Sequence, residues 1–205
     1  LRRGEWDLQV VLLWMLISYL IGSLPTGYLV VRLTRGIDIR TVGSGSIGAT
    51  NVRRALGQGW AVFVTIVDMS KGALALLLAA HAGTTSHELV ALSAFAAVVG
   101  HNYPIWLKFH GGKGVATTYG TMFFVWPYNS FAIVLMCGAI WYGVMSCTRY
   151  VSLASMLSLL MLPAFFWMLG APWQFQLLAL ALALLSIFRH RSNISRLLQG
   201  KENRV

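Results

Sequence analysis

Apolar, nearly uncharged stretches recur along this chain from residue 8 to residue 188, most of them long enough to cross a bilayer. A hydrocarbon core about 30 Å thick takes about 20 helical residues. Inside it every backbone group must be paired within the protein, and a helix does this segment by segment. The pattern predicts an all-α integral membrane protein, one transmembrane domain over residues 1–205, with seven spans at 8–33, 60–80, 88–106, 115–126, 130–145, 150–169 and 174–188. With 57% hydrophobic and 11% charged residues there is no room for a separate soluble domain. The first span is expected to loosen at Gly22-Ser-Leu-Pro25. At about 1.5 Å per residue the fourth reaches only about 18 Å, so the glycine-rich loop before it must dip into the membrane. Arg2 and Arg3 precede an apolar run too long for the core of a cleaved signal peptide. Short turns at 81–87, 126–129 and 170–173 and a basic tail at 189–205 complete the layout.

The cations fix an orientation. With seven spans, 13 of the 16 lysines and arginines fall on one side, Arg2 and Arg3 on the other, and Lys71 within a span. That asymmetry places the N-terminus outside and the C-terminus in the cytoplasm. The net charge of +10 thus reports topology and suits anionic lipid headgroups; nucleic acid needs no invoking.

Two cytoplasmic loops carry anion-site chemistry. Val42-Gly-Ser-Gly-Ser-Ile-Gly-Ala-Thr-Asn51 has glycines that let backbone N–H groups converge, and it feeds a helix expected over Ala49–Leu56 with Gly57 as its stop. Converging amides at a helix start bind phosphate. A flexible linker is the plain alternative, but a linker has no use for Asn51 and the arginines that follow. No Gly-Lys-Ser/Thr is present, so this is not a Walker loop. The second loop, Gly111-Gly-Lys-Gly-Val-Ala-Thr117, sets Lys113 among glycines just before a helix expected from Val115. Two such loops imply a substrate with two phosphates, or two phosphorylated substrates.

Other polar residues have two readings. Asp68 and Lys71 sit three apart inside a span, as a buried ion pair or a substrate contact. His101 is a structural histidine or a catalytic one, whereas His81, His87 and His110 read as loop residues. Ser152 and Ser155 share one helix face, His190 and Asn193 another. Serines in apolar helices often bond their own helix, yet both pairs lie at the cytoplasmic ends beside the loops. Cys137 and Cys147 indicate neither metal nor disulfide.

These motifs, with Asp68-Met-Ser-Lys-Gly72, Gly100-His101, Tyr150-Val-Ser-Leu-Ala-Ser155 and Arg189-His-Arg-Ser-Asn193, resemble the PlsY-type glycerol-3-phosphate acyltransferases of bacteria over nearly the whole chain. The resemblance implies a seven-span inner-membrane enzyme with a cytoplasmic active site. It would pass a fatty acyl group from acyl phosphate to the 1-hydroxyl of glycerol 3-phosphate, giving lysophosphatidic acid and inorganic phosphate in phospholipid synthesis. No cofactor, metal or obligate protein partner is implied. Carried onto this chain, the catalytic set would be Ser44, Arg54, Lys113, Ser155, His190 and Asn193. Substrate binding would fall to Gly43, Gly45, Ser46, Gly48, Asn51, Gly111, Gly112, Gly114 and Ser152. Ser46 stands where such loops usually carry Asn, and its hydroxyl reaches less far and offers one donor instead of two. Helix phase sets Arg53 and Arg54 about 100° apart, so only one can face the anion; the resemblance selects Arg54.

Two phosphorylated substrates bring about four negative charges, which the cations and loops can meet. Acyl phosphate is a mixed anhydride with a good leaving group, so positioning and charge stabilisation suffice. A phosphate oxygen can serve as base, with His190 orienting the hydroxyl or sharing its proton. None of the five histidines is followed five positions later by Asp, the spacing usual in acyltransferases that use acyl-CoA or acyl carrier protein. The alternative reading is a membrane transporter of a phosphate ester, since glycine-broken helices with intramembrane charge also mark transporters. It would need polar groups leading to both faces.

Overall fold

The computed structural model describes residues 8–81, 86–126 and 129–205, and every regular element among them is helical. Arg2, Arg3, most of the 81–87 turn and Pro127–Tyr128 of the 126–129 turn lie outside the described residues.

The first apolar run gives α1 (Leu8–Gly22) and α2 (Thr26–Arg35), broken where Pro25 ends the ladder. At the break the Leu24 carbonyl accepts from the Thr26 N–H at 3.1 Å and from the Lys71 ammonium at 2.8 Å. Lys71 also pairs with Asp68 at 2.7 Å, and the Thr26 hydroxyl donates to that carboxylate at 3.1 Å. Both charged side chains are only 4% exposed, and their shared contacts lock α4 to the α1–α2 break.

After a 3-10 turn at Ile39–Thr41, α3 covers Ala49–Leu56 and stops at Gly57, at the bounds expected. Next come α4 (Gln58–His81), α5 (His87–Asn102), α6 (Val115–Val125) and α7 (Asn129–Thr148). The third apolar run stays helical only to Asn102, short of the expected 106, because Pro104 cannot continue it. The sixth run is two helices, α8 (Val151–Leu160) and α9 (Leu162–Met168), parted at Met161 ahead of Pro163. α10 spans Trp173–Arg189. The basic tail, where His190 and Asn193 were expected to share a helix face, holds a helix over Arg191–Leu198 (α11), bent 57° from α10.

α1 packs most closely on α5, and α4 on α6. The α4–α6 seam is backbone against backbone. A Cβ on Gly72 would stand 2.4 Å from the Thr117 carbonyl oxygen, and one on Gly120 1.9 Å from that of Met69. Small residues that let helices touch this way are characteristic of membrane bundles. A main core centred on Met122, Ile133, Phe166 and Phe175 joins α5 to α10, and a smaller one under α3 gathers Val31, Ile39, Ile47 and Val52. The outward faces of α1, α7 and α10 display Leu12, Leu16, Phe131, Leu135, Leu177 and Leu184, an apolar rim that suits lipid rather than water.

Among the described residues, five segments are long and apolar enough to cross a membrane: Leu8–Arg35, Gln58–His81, His87–Leu107, Asn129–Thr148 and Val151–Met168. α10 passes the same test only together with α11, and α6, at 11 residues, is too short alone. The protein is therefore a multi-pass membrane protein, with five or six segments of full spanning length and a short apolar helix beside them among the described residues.

Candidate active site

The first glycine loop is wound around one side chain. The Asn51 amide donates to the carbonyls of Ile39, Val42 and Ser46 at 3.2, 3.0 and 3.0 Å, and its oxygen accepts from the Ser44 N–H at 3.0 Å. The Gly45 N–H bonds the Val42 carbonyl, and the Gly48 N–H bonds the Ser46 hydroxyl. The expected nest of free loop amides is thus largely spent inside the loop. What faces the interior instead is the start of α3. Gly48, Ala49 and Thr50 line the cavity there, and the first turn of any helix lacks carbonyl partners for its amides and carries positive potential.

The second loop folds back onto α5. The N–H groups of Gly111 and Gly112 bond the carbonyls of Asn102 and His101. Their own carbonyls accept from the Arg189 guanidinium at 2.7–3.1 Å, which also lies 4.8 Å from the Tyr103 ring centre. A Cβ on Gly112 would fall 2.0 Å from Nε2 of His101. Arg189, read from the sequence only as a topology charge, is the clamp that fixes this loop. Lys113 then reaches across to the Asn193 side-chain oxygen at 2.5 Å.

One cavity of about 390 Å³ collects the result. Its wall includes Ser44, Ser46, Gly48, Asn51, Arg54, Lys113, Gly114, Ser152, Ser155, His190 and Asn193. Gly43, Gly45, Gly111 and Gly112 stand outside that wall and shape the backbone behind it. Arg54 lines the cavity and Arg53 does not. Asp68 and His101 also reach it, with His101 Nδ1 3.7 Å from the Asp68 carboxylate, so Asp68 joins the packing pair to the cavity wall. Met69, Val115, Ala116, Gly138, Trp141 and Val151 also line it and make the wall mostly apolar.

The electrostatics are uneven. Burial pulls the Lys113 ammonium down to about 8; Glu202 opposes that shift, while Arg196, Arg54 and Arg189 add to it. His190, just past the end of α10, is lowered to about 4 by burial and by the charge of Lys113. Its Nδ1 lies 2.8 Å from the Ser186 carbonyl, which only accepts, so Nδ1 holds the proton and Nε2 is left as an acceptor. The Ser155 hydroxyl accepts from Trp141 Nε1 at 3.1 Å, which leaves its own proton for another partner.

Glu202 was missed. Its carboxylate accepts from Ser152 and Asn193 at 2.8 and 2.6 Å and pairs with Arg196 at 2.7 Å. The signal was one acid, of only six in the chain, standing alone in a basic tail.

The sequence model of the family described as glycerol-3-phosphate acyltransferase matches residues 12–200. The chain belongs to the glycerol-3-phosphate acyltransferase family. Its family relatives include the glycerol-3-phosphate acyltransferase of Desulforudis audaxviator, 44% identical over 95% of both chains. That of Aquifex aeolicus is 39% identical over 93% of this chain and 96% of its own. The fold matches two crystal structures of PlsY, an integral membrane glycerol 3-phosphate acyltransferase. Its glycerol 3-phosphate form superposes with a TM-score of 0.88 at 38% identity, covering 95% of each chain. The lysophosphatidic acid form gives 0.85 at 37% identity, over 95% of this chain and 94% of that one. Acyltransferases of this family, so represented, share the helical frame that surrounds the cavity.

Proposed function

We propose that this chain transfers a fatty acyl group from acyl phosphate to the 1-hydroxyl of glycerol 3-phosphate, releasing lysophosphatidic acid and inorganic phosphate. The observation that carries this reading is the mixed lining of one cavity. It brings Arg54, Lys113 and the start of α3 together with apolar groups of α4, α6 and α7. A phosphate suits the cations and an acyl chain the apolar groups. Relatives whose names and bound forms specify glycerol 3-phosphate and lysophosphatidic acid support the acceptor and the product. The donor is argued from charge: a second phosphate accounts for the number of cations around one small cavity.

In the reaction the acceptor hydroxyl oxygen bonds to the acyl carbon, the bond from that carbon to the phosphate oxygen breaks, and inorganic phosphate departs. The hydroxyl proton passes to a phosphate oxygen. A histidine held near 4 keeps a proton poorly at neutral pH. His190 therefore accepts the hydroxyl's hydrogen bond at Nε2 and aims it, while the phosphate serves as base. Arg54, Lys113, Ser44 and Ser155 stabilise charge on the reacting groups, and Asn193 steadies Lys113. Ser46, Asn51, Ser152 and Gly114 shape the pocket, with Gly43, Gly45, Gly48, Gly111 and Gly112 setting its backbone. The frame is seven spans, counting α6 as a short one, with the site at the cytoplasmic face of the bacterial inner membrane.

The test is release of inorganic phosphate and formation of lysophosphatidic acid from palmitoyl phosphate in detergent, with glycerol 3-phosphate present or omitted. Turnover with palmitoyl-CoA but not palmitoyl phosphate would replace the donor. Glycerol 3-phosphate binding with no product from either donor would favour a transporter.

A further inference from the structure

The geometry points to Glu202 as a positioning residue of this site: it locks the Asn193 amide in the one orientation that presents an oxygen to Lys113. The inference rests on the acyl-transfer reading for its consequence in turnover, though the contacts themselves do not.

The chain past α11 is built to deliver this carboxylate. Gly200 (φ +66°) turns it, the Gly200 and Lys201 N–H groups bond the carbonyls of Leu197 and Arg196, and the strand of chain then crosses to the α7–α8 turn. There the Val205 N–H bonds the Arg149 carbonyl at 3.0 Å, and the Arg204 guanidinium donates to the Tyr150 hydroxyl at 3.1 Å. Between these anchors the Glu202 side chain is 6% exposed and accepts from Ser152 on α8 and from Asn193 and Arg196 on α11. Burial pushes its carboxyl up, but hydrogen bonds from Asn193, Arg196 and Ser152 outweigh this and hold it below the usual glutamate value. It is an anion at neutral pH.

An amide can turn over with little change of shape, and only its partners decide which end is oxygen. A carboxylate can only accept and an ammonium can only donate. Asn193, set between Glu202 at 2.6 Å and Lys113 at 2.5 Å, has one satisfying orientation. With a neutral amide at 202, which can donate as well as accept, only Lys113 still dictates the orientation, and any turn of the Asn193 NH₂ toward it costs the ammonium its hydrogen bond and sets two donors face to face. The charge matters as well. Lys113 sits near Arg54 of α3, Arg189 of α10 and Arg196 of α11, with neutral His190 beside it, and Glu202 is the carboxylate among these neighbours that favours the charged form.

The experiment compares Glu202→Gln, Glu202→Asp and Asn193→Ala with the double variant Asn193→Ala/Glu202→Gln. It reads kcat and KM, the pH–rate profile, thermal unfolding in detergent, and the pH dependence of Lys113 labelling by trinitrobenzenesulfonate, quantified on its peptide. Glu202→Gln should lower kcat about tenfold with little change in unfolding temperature, and move the alkaline limb and the Lys113 labelling midpoint down by about one pH unit. Glu202→Asp keeps the charge and should hold both near wild type. In the Asn193→Ala background Glu202→Gln should cost less than about twofold, because the two residues act as one unit. An alkaline limb and labelling midpoint unmoved in Glu202→Gln would overturn the inference, as would fully additive losses in the double variant. If Glu202→Gln does not fold, a wild-type labelling midpoint in Glu202→Asp supports the inference and a midpoint shifted as if the charge were absent sinks it. Labelling needs no turnover, so a wild-type protein that transfers no acyl group would defeat the proposed function while Lys113 still decides the role of Glu202.

Discussion

Lys113 keeps its charge in a place that works against it, and this gives the site a pH limit. Held at about 8 by burial, it is an ammonium below that pH and a neutral amine above. Phosphate binding should therefore be full near pH 7 and fall as the pH rises through about 8, visible as an alkaline limb in kcat/KM. Lys113→Ala should cost orders of magnitude in turnover, since a charged contact to phosphate contributes about 3 kcal/mol. Lys113→Arg should recover only part of it, because the planar fork does not reproduce the single contact to Asn193. At the first loop, Arg54→Ala should lose about a hundredfold in kcat/KM for glycerol 3-phosphate, while Arg53→Ala, off the cavity wall, stays within a few-fold. Equal losses would remove the helix-phase argument. Arg54 could be singled out from helix phase and family resemblance; what Asn51 does could not. Its four hydrogen bonds go to backbone groups of its own loop, and backbone partners leave no trace in residue type.

Among the elements, helix existence and most boundaries were legible because apolar length and breakers write them directly. α3 and the break before α2 fell where Gly57 and Pro25 put them. α11 was legible only at its start, where His190 and Asn193 share a helix face; its extent to Leu198 and the Glu202 that meets Asn193 read as solvated tail. The use of the second loop was also hidden, since glycine amides aimed at a ligand and glycine amides capping α5 look alike in sequence. α7 offers the test at this scale. A Cβ on Gly138 would meet nothing within 4 Å, although Gly138 lines the cavity among apolar neighbours. Glycine in a helix interior costs up to about 1 kcal/mol relative to alanine. Gly138→Leu should leave the protein folded, leave KM for glycerol 3-phosphate unchanged, and shift use from hexadecanoyl toward decanoyl phosphate. Unchanged chain-length preference would place the acyl chain elsewhere.

At the scale of the molecule, the fold class was the easiest inference, since recurrent apolar length leaves a chain little else to become. The number of crossings was harder, because α6 has 11 residues and α10 needs α11 to reach full length. Single cysteines in a background lacking Cys137 and Cys147 test the orientation in intact cells. The 34–59 loop and the chain beyond Arg189 should resist impermeant maleimide, and His81→Cys should react. Labelling of the glycine loop from outside would sink both the seven-span count and the cytoplasmic site.

The α4–α6 seam has a consequence for suppressor genetics. A damaging side chain in a core is usually relieved by trimming the side chain it strikes. At Gly72 and Gly120 the struck atoms are backbone carbonyl oxygens on the opposite helix, and no codon change at the struck residue makes a carbonyl smaller. Selection for revived growth from a bulky substitution at either glycine should therefore return same-site revertants to Gly, and no partner-helix suppressors at Thr117 or Met69.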